Sequence, residues 1–147
     1  MSKTQHIYHV VFATKGREKT ITLKNKRFLY RELYSILVEN ECYVYRINGI
    51  DDHVHILFDL NPNILLKDIV RVLKGKSSYW MTRSGLFPIF RGWGREYFGV
   101  SKGIEQVEIL KNYIKNQEVH HLNVGFVDEM KLLYENSGLD WHEKDLM

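Results

Sequence analysis

The sequence predicts an α+β fold, an antiparallel sheet with helices packed on it, and three observations carry that prediction. Stretches rich in β-branched and aromatic residues alternate with stretches of helical apolar spacing, in the order β-α-β-β-α-β-α. Between two neighbouring strand-like stretches stands the turn signal Asn48-Gly49, which makes them an antiparallel pair. The chain has 147 residues, the size of one domain with a core of its own.

Each element follows from its residues. Residues 6–13 (HIYHVVFA) favour a strand, and 14–20 (TKGREKT) a polar, basic turn. Over 23–40, Phe28, Leu29, Leu33, Ile36 and Leu37 recur at helical spacing, with Asn40 as the stop. Residues 43–47 and 54–60 read as strands, the second ending at Asn61-Pro62-Asn63. Over 65–81, Leu65, Ile69, Val72, Leu73 and Trp80 mark the inner face of a second helix, and Lys67, Arg71, Lys74 and Lys76 its outer face. Residues 84–95 form a Gly-rich, aromatic, basic loop, 97–100 a short strand, and 104–122 a helix with the packing row Val107, Leu110, Ile114. Gly125 precedes a last helix over 128–136, and a polar tail follows with Trp141 as its anchor. No repeat, linker or low-complexity tract interrupts this single domain, residues 1–147. The first six elements make the split βαβ unit of ferredoxin-like (RRM-like) sheets, followed by a C-terminal helix that bears Tyr113. That fold hosts many activities, so function has to be read from a site.

Composition excludes several classes. Hydrophobic residues make up 44% and charged residues 27%, the balance of a globular chain. There is no apolar run of about 18 residues, the length a membrane span needs. The first ten residues have no leader character, so a cytoplasmic protein is expected. The single cysteine, Cys42, excludes an internal disulfide framework and a multi-cysteine zinc site. The net charge of +3 permits a nucleic-acid partner without demanding one. Aromatic residues make up 13%, and several adjoin cations, as in Phe90-Arg91 and Trp93-Gly94-Arg95. Unpaired bases stack on such rings, although core packing accounts for most aromatics in any domain.

Two local patterns bear chemistry. In Asp52-His53-Val54-His55 the period of a strand sends both imidazoles to one face, where they can share a divalent cation. Two unrelated histidines at a strand edge are the plainer alternative. Asp59 shares that face but lies too far along to be an automatic third ligand. In Tyr113-Ile114-Lys115-Asn116-Gln117, Tyr113 and Gln117 are neighbours on one helix face, while Leu110 and Ile114 belong to the packing row. A Gln carbonyl is a hard oxygen ligand, and a Tyr hydroxyl beside a metal can be a nucleophile. A half-buried tyrosine and a solvated glutamine would explain the same spacing.

Together the two patterns resemble the single-tyrosine HUH transposases, the small TnpA-type enzymes of insertion sequences that move as single-stranded DNA. The name describes two histidines around a hydrophobic residue, here His53-Val54-His55, and an Asp commonly precedes them, as Asp52 does. The stretches Tyr8-His9-Val10-Val11-Phe12 and Leu73-Lys74-Gly75-Lys76-Ser77-Ser78 are similar to further family features, and residues 113–121, with the pair His120-His121, look like the nucleophile helix. The resemblance runs in order over nearly the whole chain. The segment 90–98 is only loosely similar, which leaves target and end recognition open.

The resemblance implies that Tyr113 attacks a phosphodiester of single-stranded DNA, forms a 5′-phosphotyrosine link and frees a 3′-hydroxyl, and that a second transesterification rejoins the strand. The absence of a G-x-x-x-x-G-K-[ST] loop agrees with chemistry that needs no ATP. It implies a divalent metal on His53, His55 and Gln117, with Mg²⁺ as the ion and Mn²⁺ able to substitute. It implies hairpin DNA ends as partner and a homodimer, with the tyrosine helix able to act in the partner subunit's site. Gly99 and Gly103 before that helix suit a hinge or ordinary turns. A free tyrosine ionises near pH 10, so the phenol needs a proton acceptor, and the sequence names none. Lys115 and His120 are close in sequence but lie on other faces of the predicted helix. Lys15, Arg17, Lys74, Lys76, Arg83, Arg91 and Arg95 are candidates for phosphate contacts, and Trp93 and Tyr97 for base stacking. Three other readings remain at this point: a domesticated relative acting on chromosomal hairpin repeats, a non-catalytic domain that binds single-stranded nucleic acid, and a metal-dependent hydrolase that uses water in place of Tyr113.

Overall fold

The structure is a computed structural model that describes residues 1–142 and Asp145. Four strands, β1 (Ile7–Ala13), β2 (Tyr43–Gly49), β3 (His53–Asp59) and β4 (Phe98–Lys102), form an antiparallel sheet in the order β2-β3-β1-β4. The helices are α1 (Lys26–Glu39), α2 (Leu66–Ser84), α3 (Val107–Lys115), α4 (Gln117–His120) and α5 (Phe126–Asn136). Single 3₁₀ turns cover Lys15–Arg17 and Ile104–Gln106. The split βαβ order is as expected, and among the described residues no helix is long and apolar enough to cross a membrane.

Strand alternation divides the core. Val10 and Phe12 of β1 and Val54, Ile56 and Phe58 of β3 face α1 and α2, packing on Leu29, Leu33, Leu37, Ile69 and Leu73. The opposite face is covered as well, which the sequence reading did not anticipate. Ile7 and Leu57 pack on Val107 and Ile114 of α3. Val11, Ala13 and Phe98 pack on Phe126, Met130 and Tyr134 of α5. His9, His53 and His55 alternate with residues of these two apolar clusters along β1 and β3 and are all buried, so polar side chains occupy a covered sheet face.

Three expectations shift. The helix expected over 104–122 is broken at Asn116, where ψ turns to 20°. The cause lies on β2: the Asn48 amide donates to the carbonyls of Ile114 at 2.9 Å and Lys115 at 3.0 Å, taking acceptors at the end of α3. Asn48-Gly49 closes β2 instead of forming the turn, and residues 50–52 connect to β3. A side chain on Gly49 would put its Cβ 2.1 Å from the His53 carbonyl oxygen, so the approach of β2 to β3 requires glycine. Gly99 is paired with Val10 inside β4, so a hinge there can involve only Gly103. Trp141 packs edge-on against Tyr134 as the expected anchor. Of the polar tail after it, residues 143, 144, 146 and 147 lie outside the described residues.

Candidate active site

The pleat of β3 presents His53 and His55 on one face, both with no solvent exposure. They do not stand at a sheet edge, because β3 lies between β2 and β1. Three helices bring side chains to them: Tyr113 from α3, Gln117 from α4 and Glu129 from α5. His53 Nε2 lies 3.2 Å from Gln117 Oε1 and 3.4 Å from Glu129 Oε1, and His55 Nε2 lies 3.5 Å from the same carboxylate oxygen. His121 Nε2 is 2.9 Å from Glu129 Oε1 and 3.1 Å from Gln117 Oε1. The second oxygen, Glu129 Oε2, accepts from the Tyr113 hydroxyl and, at 2.8 Å, from the Gln117 amide nitrogen. That bond fixes the amide: with Nε2 on a carboxylate, Oε1 is turned to the imidazoles.

The outer ring nitrogens set the tautomers. His53 Nδ1 is 2.7 Å from Asp52 Oδ1, and a carboxylate only accepts, so Nδ1 carries a proton. His55 Nδ1 is 2.8 Å from His9 Nε2, with the rings stacked at 5.1 Å, so one proton is shared along that axis. His55 Nε2, fully buried, has no hydrogen-bond partner among the described residues. Burial pushes His55 down to about 4 against the pull of Glu129. Burial acts on His53 in the same sense, but its hydrogen bonds to Asp52 and Glu129 outweigh it and raise it to about 9. Burial would raise Glu129, yet the three histidines beside it hold its carboxyl well below the usual range. Burial first, and then the Glu129 charge, hold the Tyr113 phenol well above its ordinary value, so here it keeps its proton at neutral pH.

A family model for IS200-like transposases matches residues 2–117. The chain belongs to that transposase family. The crystal structure of a candidate transposase from Deinococcus radiodurans R1, 25% identical, is similar with a TM-score of 0.61 over 79% of this chain and 93% of that one. A REP-associated tyrosine transposase bound to a REP hairpin, 13% identical, has the same fold, with a TM-score of 0.63 over 100% of this chain and 94% of that one. Among curated proteins none matches.

Within this transposase the pieces singled out from the sequence, His53, His55, Tyr113 and Gln117, meet in one chain. His120 was assigned to another helix face, but seven residues on from Tyr113 it shares that face: its ring lies 5.5 Å from the Tyr113 ring and its Nε2 3.4 Å from Glu129 Oε2. Glu129, His121 and the supporting His9 were not recognised as site residues. A signal for Glu129 existed, a lone carboxylate at the helical spacing of the apolar row Phe126, Met130, Leu133, Tyr134.

The basic candidates separate into three places. Lys74, Arg95, Trp93 and Tyr97 line a groove of about 520 Å³ between α2 and the 92–97 segment, with Lys67 and Arg71 on its rim, and Lys15 and Arg91 border the adjoining cavity. Lys76 and Arg83 line a separate depression beside Tyr79, with Arg83 stacked on that ring at 4.1 Å. Arg17 shares a cavity of about 300 Å³ with Asp52 and the start of α5. The Lys74 ammonium donates to the carbonyls of Gly94, Arg95 and Glu96, which uses all three of its donors. Trp93 donates to Ser77 Oγ and packs edge-on to Phe12 and Phe90, so it is part of the core as well as the groove.

Proposed function

We propose that this transposase cleaves and rejoins single-stranded DNA at insertion-sequence ends through a 5′-phosphotyrosine link at Tyr113. The observation that carries the reading is the convergence, in one chain, of the Tyr113 hydroxyl, two imidazoles and the Gln117 carbonyl around the buried Glu129 carboxylate.

The donor set fits a divalent cation. His53, His55 and Glu129 offer ligand atoms within 4.8 Å of one another, and Gln117 Oε1, an acceptor, is turned to His53 Nε2. His53, His55 and Gln117 would hold the ion. Bound Mg²⁺ or Mn²⁺ would supply Lewis-acid polarisation of the scissile phosphate, worth several kcal/mol of transition-state stabilisation. The residues of the chain aim the phenol. The Tyr113 oxygen attacks phosphorus and forms the tyrosyl–phosphate bond, while the bond to the 3′-oxygen of the upstream nucleotide breaks. Glu129 Oε2 aims the phenol by accepting its hydrogen bond, the phenol proton is lost to water, and the departing 3′-oxygen takes up a proton from water. In the second step a 3′-hydroxyl attacks the phosphotyrosine and Tyr113 leaves as the phenol. The number of phosphodiester bonds is conserved, so neither water nor a nucleoside triphosphate is consumed.

Hairpin DNA is the proposed substrate. The REP hairpin in the neighbour's structure and the basic, aromatic groove around Arg95 and Tyr97 support it. The same neighbour favours, as a second reading, a domesticated relative that applies this chemistry to chromosomal hairpin repeats. Each chain has one nucleophile, so coupled cuts at two ends take a homodimer, with Tyr113 serving the histidines of its own chain in the arrangement seen here.

The test is a denaturing-gel assay with single-stranded oligonucleotides from both flanks of the gene, both strands, with Mg²⁺ or Mn²⁺. A metal-dependent protein–DNA species that survives denaturation and is lost in Tyr113→Phe is expected. Cleavage that persists in Tyr113→Phe would overturn the nucleophile and favour the hydrolase, and hairpin binding with neither cleavage nor adduct would favour the binding domain.

A further inference from the structure

The family match ends at residue 117, yet two of the side chains closest to the histidine pair come after it. Glu129 Oε1 lies 3.4 Å from His53 Nε2, 3.5 Å from His55 Nε2 and 2.9 Å from His121 Nε2. Gln117 Oε1 lies 3.2 Å from His53 Nε2 and 3.1 Å from His121 Nε2. These are the separations of ligand atoms around one ion, since bonds of about 2.1 Å at roughly 90–110° place neighbouring ligands about 3.0–3.4 Å apart. The ligand atoms of His53, His55 and Glu129 lie within 4.8 Å of one another, and those of His120, His121 and Glu129 form a second such trio on the same carboxylate. Three imidazole nitrogens thus surround Glu129 Oε1, and Gln117 Oε1 lies against two of them; the protons that they now direct at these oxygens would be given up to an ion.

We propose that Glu129 and His121 are metal ligands that complete, with His53, His55 and Gln117, a five-donor cage of three imidazoles, one carboxylate and one amide oxygen. The inference rests on the metal site of the proposed function and goes beyond it in ligands and in the class of ion. Three imidazoles suit a first-row transition dication such as Mn²⁺ or Co²⁺. Mg²⁺ prefers oxygen ligands and keeps several waters, which a site with four of its residues essentially without solvent exposure accommodates poorly. Glu129 divides its work: Oε1 faces the cage while Oε2 holds the Tyr113 hydroxyl and the Gln117 amide. His120 stands on the Oε2 side, against the Tyr113 ring, outside the cage.

The test uses the full chain stripped of metal, titrated with Mn²⁺ and followed by electron paramagnetic resonance. Free Mn²⁺ gives the affinity, and electron spin-echo modulation counts the coordinated imidazole nitrogens. Three imidazoles are expected in the wild type and two in His121→Ala, with Mn²⁺ affinity about tenfold or more weaker in His121→Ala and Glu129→Gln and unchanged in His120→Ala. A 100-fold excess of Mg²⁺ is expected to leave Mn²⁺ bound. Two imidazoles in the wild type, with His121→Ala and Glu129→Gln binding like it, would overturn the cage and leave the His53, His55 and Gln117 site standing. Loss in His120→Ala but not in His121→Ala would overturn it by moving the ion to the other side of Glu129. A wild type that binds no Mn²⁺ would overturn both. Glu129→Gln keeps the shape of the side chain, and circular dichroism of each metal-free variant identifies any that fails to fold.

Discussion

At the residue scale, a single carboxylate organises the site. Glu129 faces three histidines with one oxygen and a phenol and an amide with the other. No spacing rule in the sequence links it to His53, because the two come from a strand and a helix far apart in the chain, and only packing of Phe126, Met130 and Tyr134 on the sheet brings them together. The histidine pair and the Tyr–Gln pair were legible because each obeys the period of one element. Phenols are held neutral beyond the site as well. Burial first, and then the charges of Asp145 and Glu96, raise Tyr134 to about 12. Its raised value contributes stability that is present below about pH 10, its unfolded value, and is lost as pH rises through about 12. The urea midpoint is therefore expected to fall between pH 10 and 12, less steeply in Tyr134→Phe. Equal slopes for the two proteins would show that Tyr134 titrates freely.

At the element scale, the helical path from Tyr113 to Gln117 is broken at Asn116, between α3 and α4. In an unbroken helix Tyr113, Gln117 and His120, at spacings of four and seven, would share one face. Across the break His120 and His121 both reach Glu129. Its cause was hidden from a local reading because the capping side chain, Asn48, lies 66 residues earlier than Ile114. Asn48 is itself held, since the buried Lys26 ammonium reaches its Oδ1 at 3.4 Å, the Gly49 carbonyl at 3.0 Å and the Glu118 carboxylate. Asn48→Ala leaves two carbonyls of α3 without their donor. A loss of about 1–2 kcal/mol is expected, read as a lower urea midpoint with an unchanged slope. An unaltered midpoint would mean that the end of α3 is set by its own sequence.

For the whole molecule, the net charge of +3 conceals an uneven distribution. Lys67, Arg71 and Arg95 surround the groove that Lys74 shapes from beneath, and Lys15 and Arg91 border the cavity next to it. Arg95→Ala is expected to weaken hairpin binding and to reduce the slope of log affinity against log salt by about 1. Lys74→Ala should lower stability more than it lowers that slope, because its ammonium is committed to three carbonyls. An Arg95→Ala slope equal to the wild-type value would place the DNA elsewhere. The antiparallel pairing of β2 with β3 and the packing of α1 and α2 were legible at this scale because turn signals, alternation and helical spacing specify them. The second covered face was not, since the buried rows that cover it are short, Val107 and Ile114 on α3 and Phe126, Met130 and Tyr134 on α5.

The tight passage from β2 into β3 leaves the site with an unforgiving neighbour. Gly49 has no side chain to bind DNA or an ion, yet any residue with a Cβ at that position must push the His53 carbonyl aside, and the imidazole moves with its backbone. A survey of inactivating substitutions would therefore pick out position 49 together with the paired histidines, and a residue without functional groups would be among the least replaceable in the molecule.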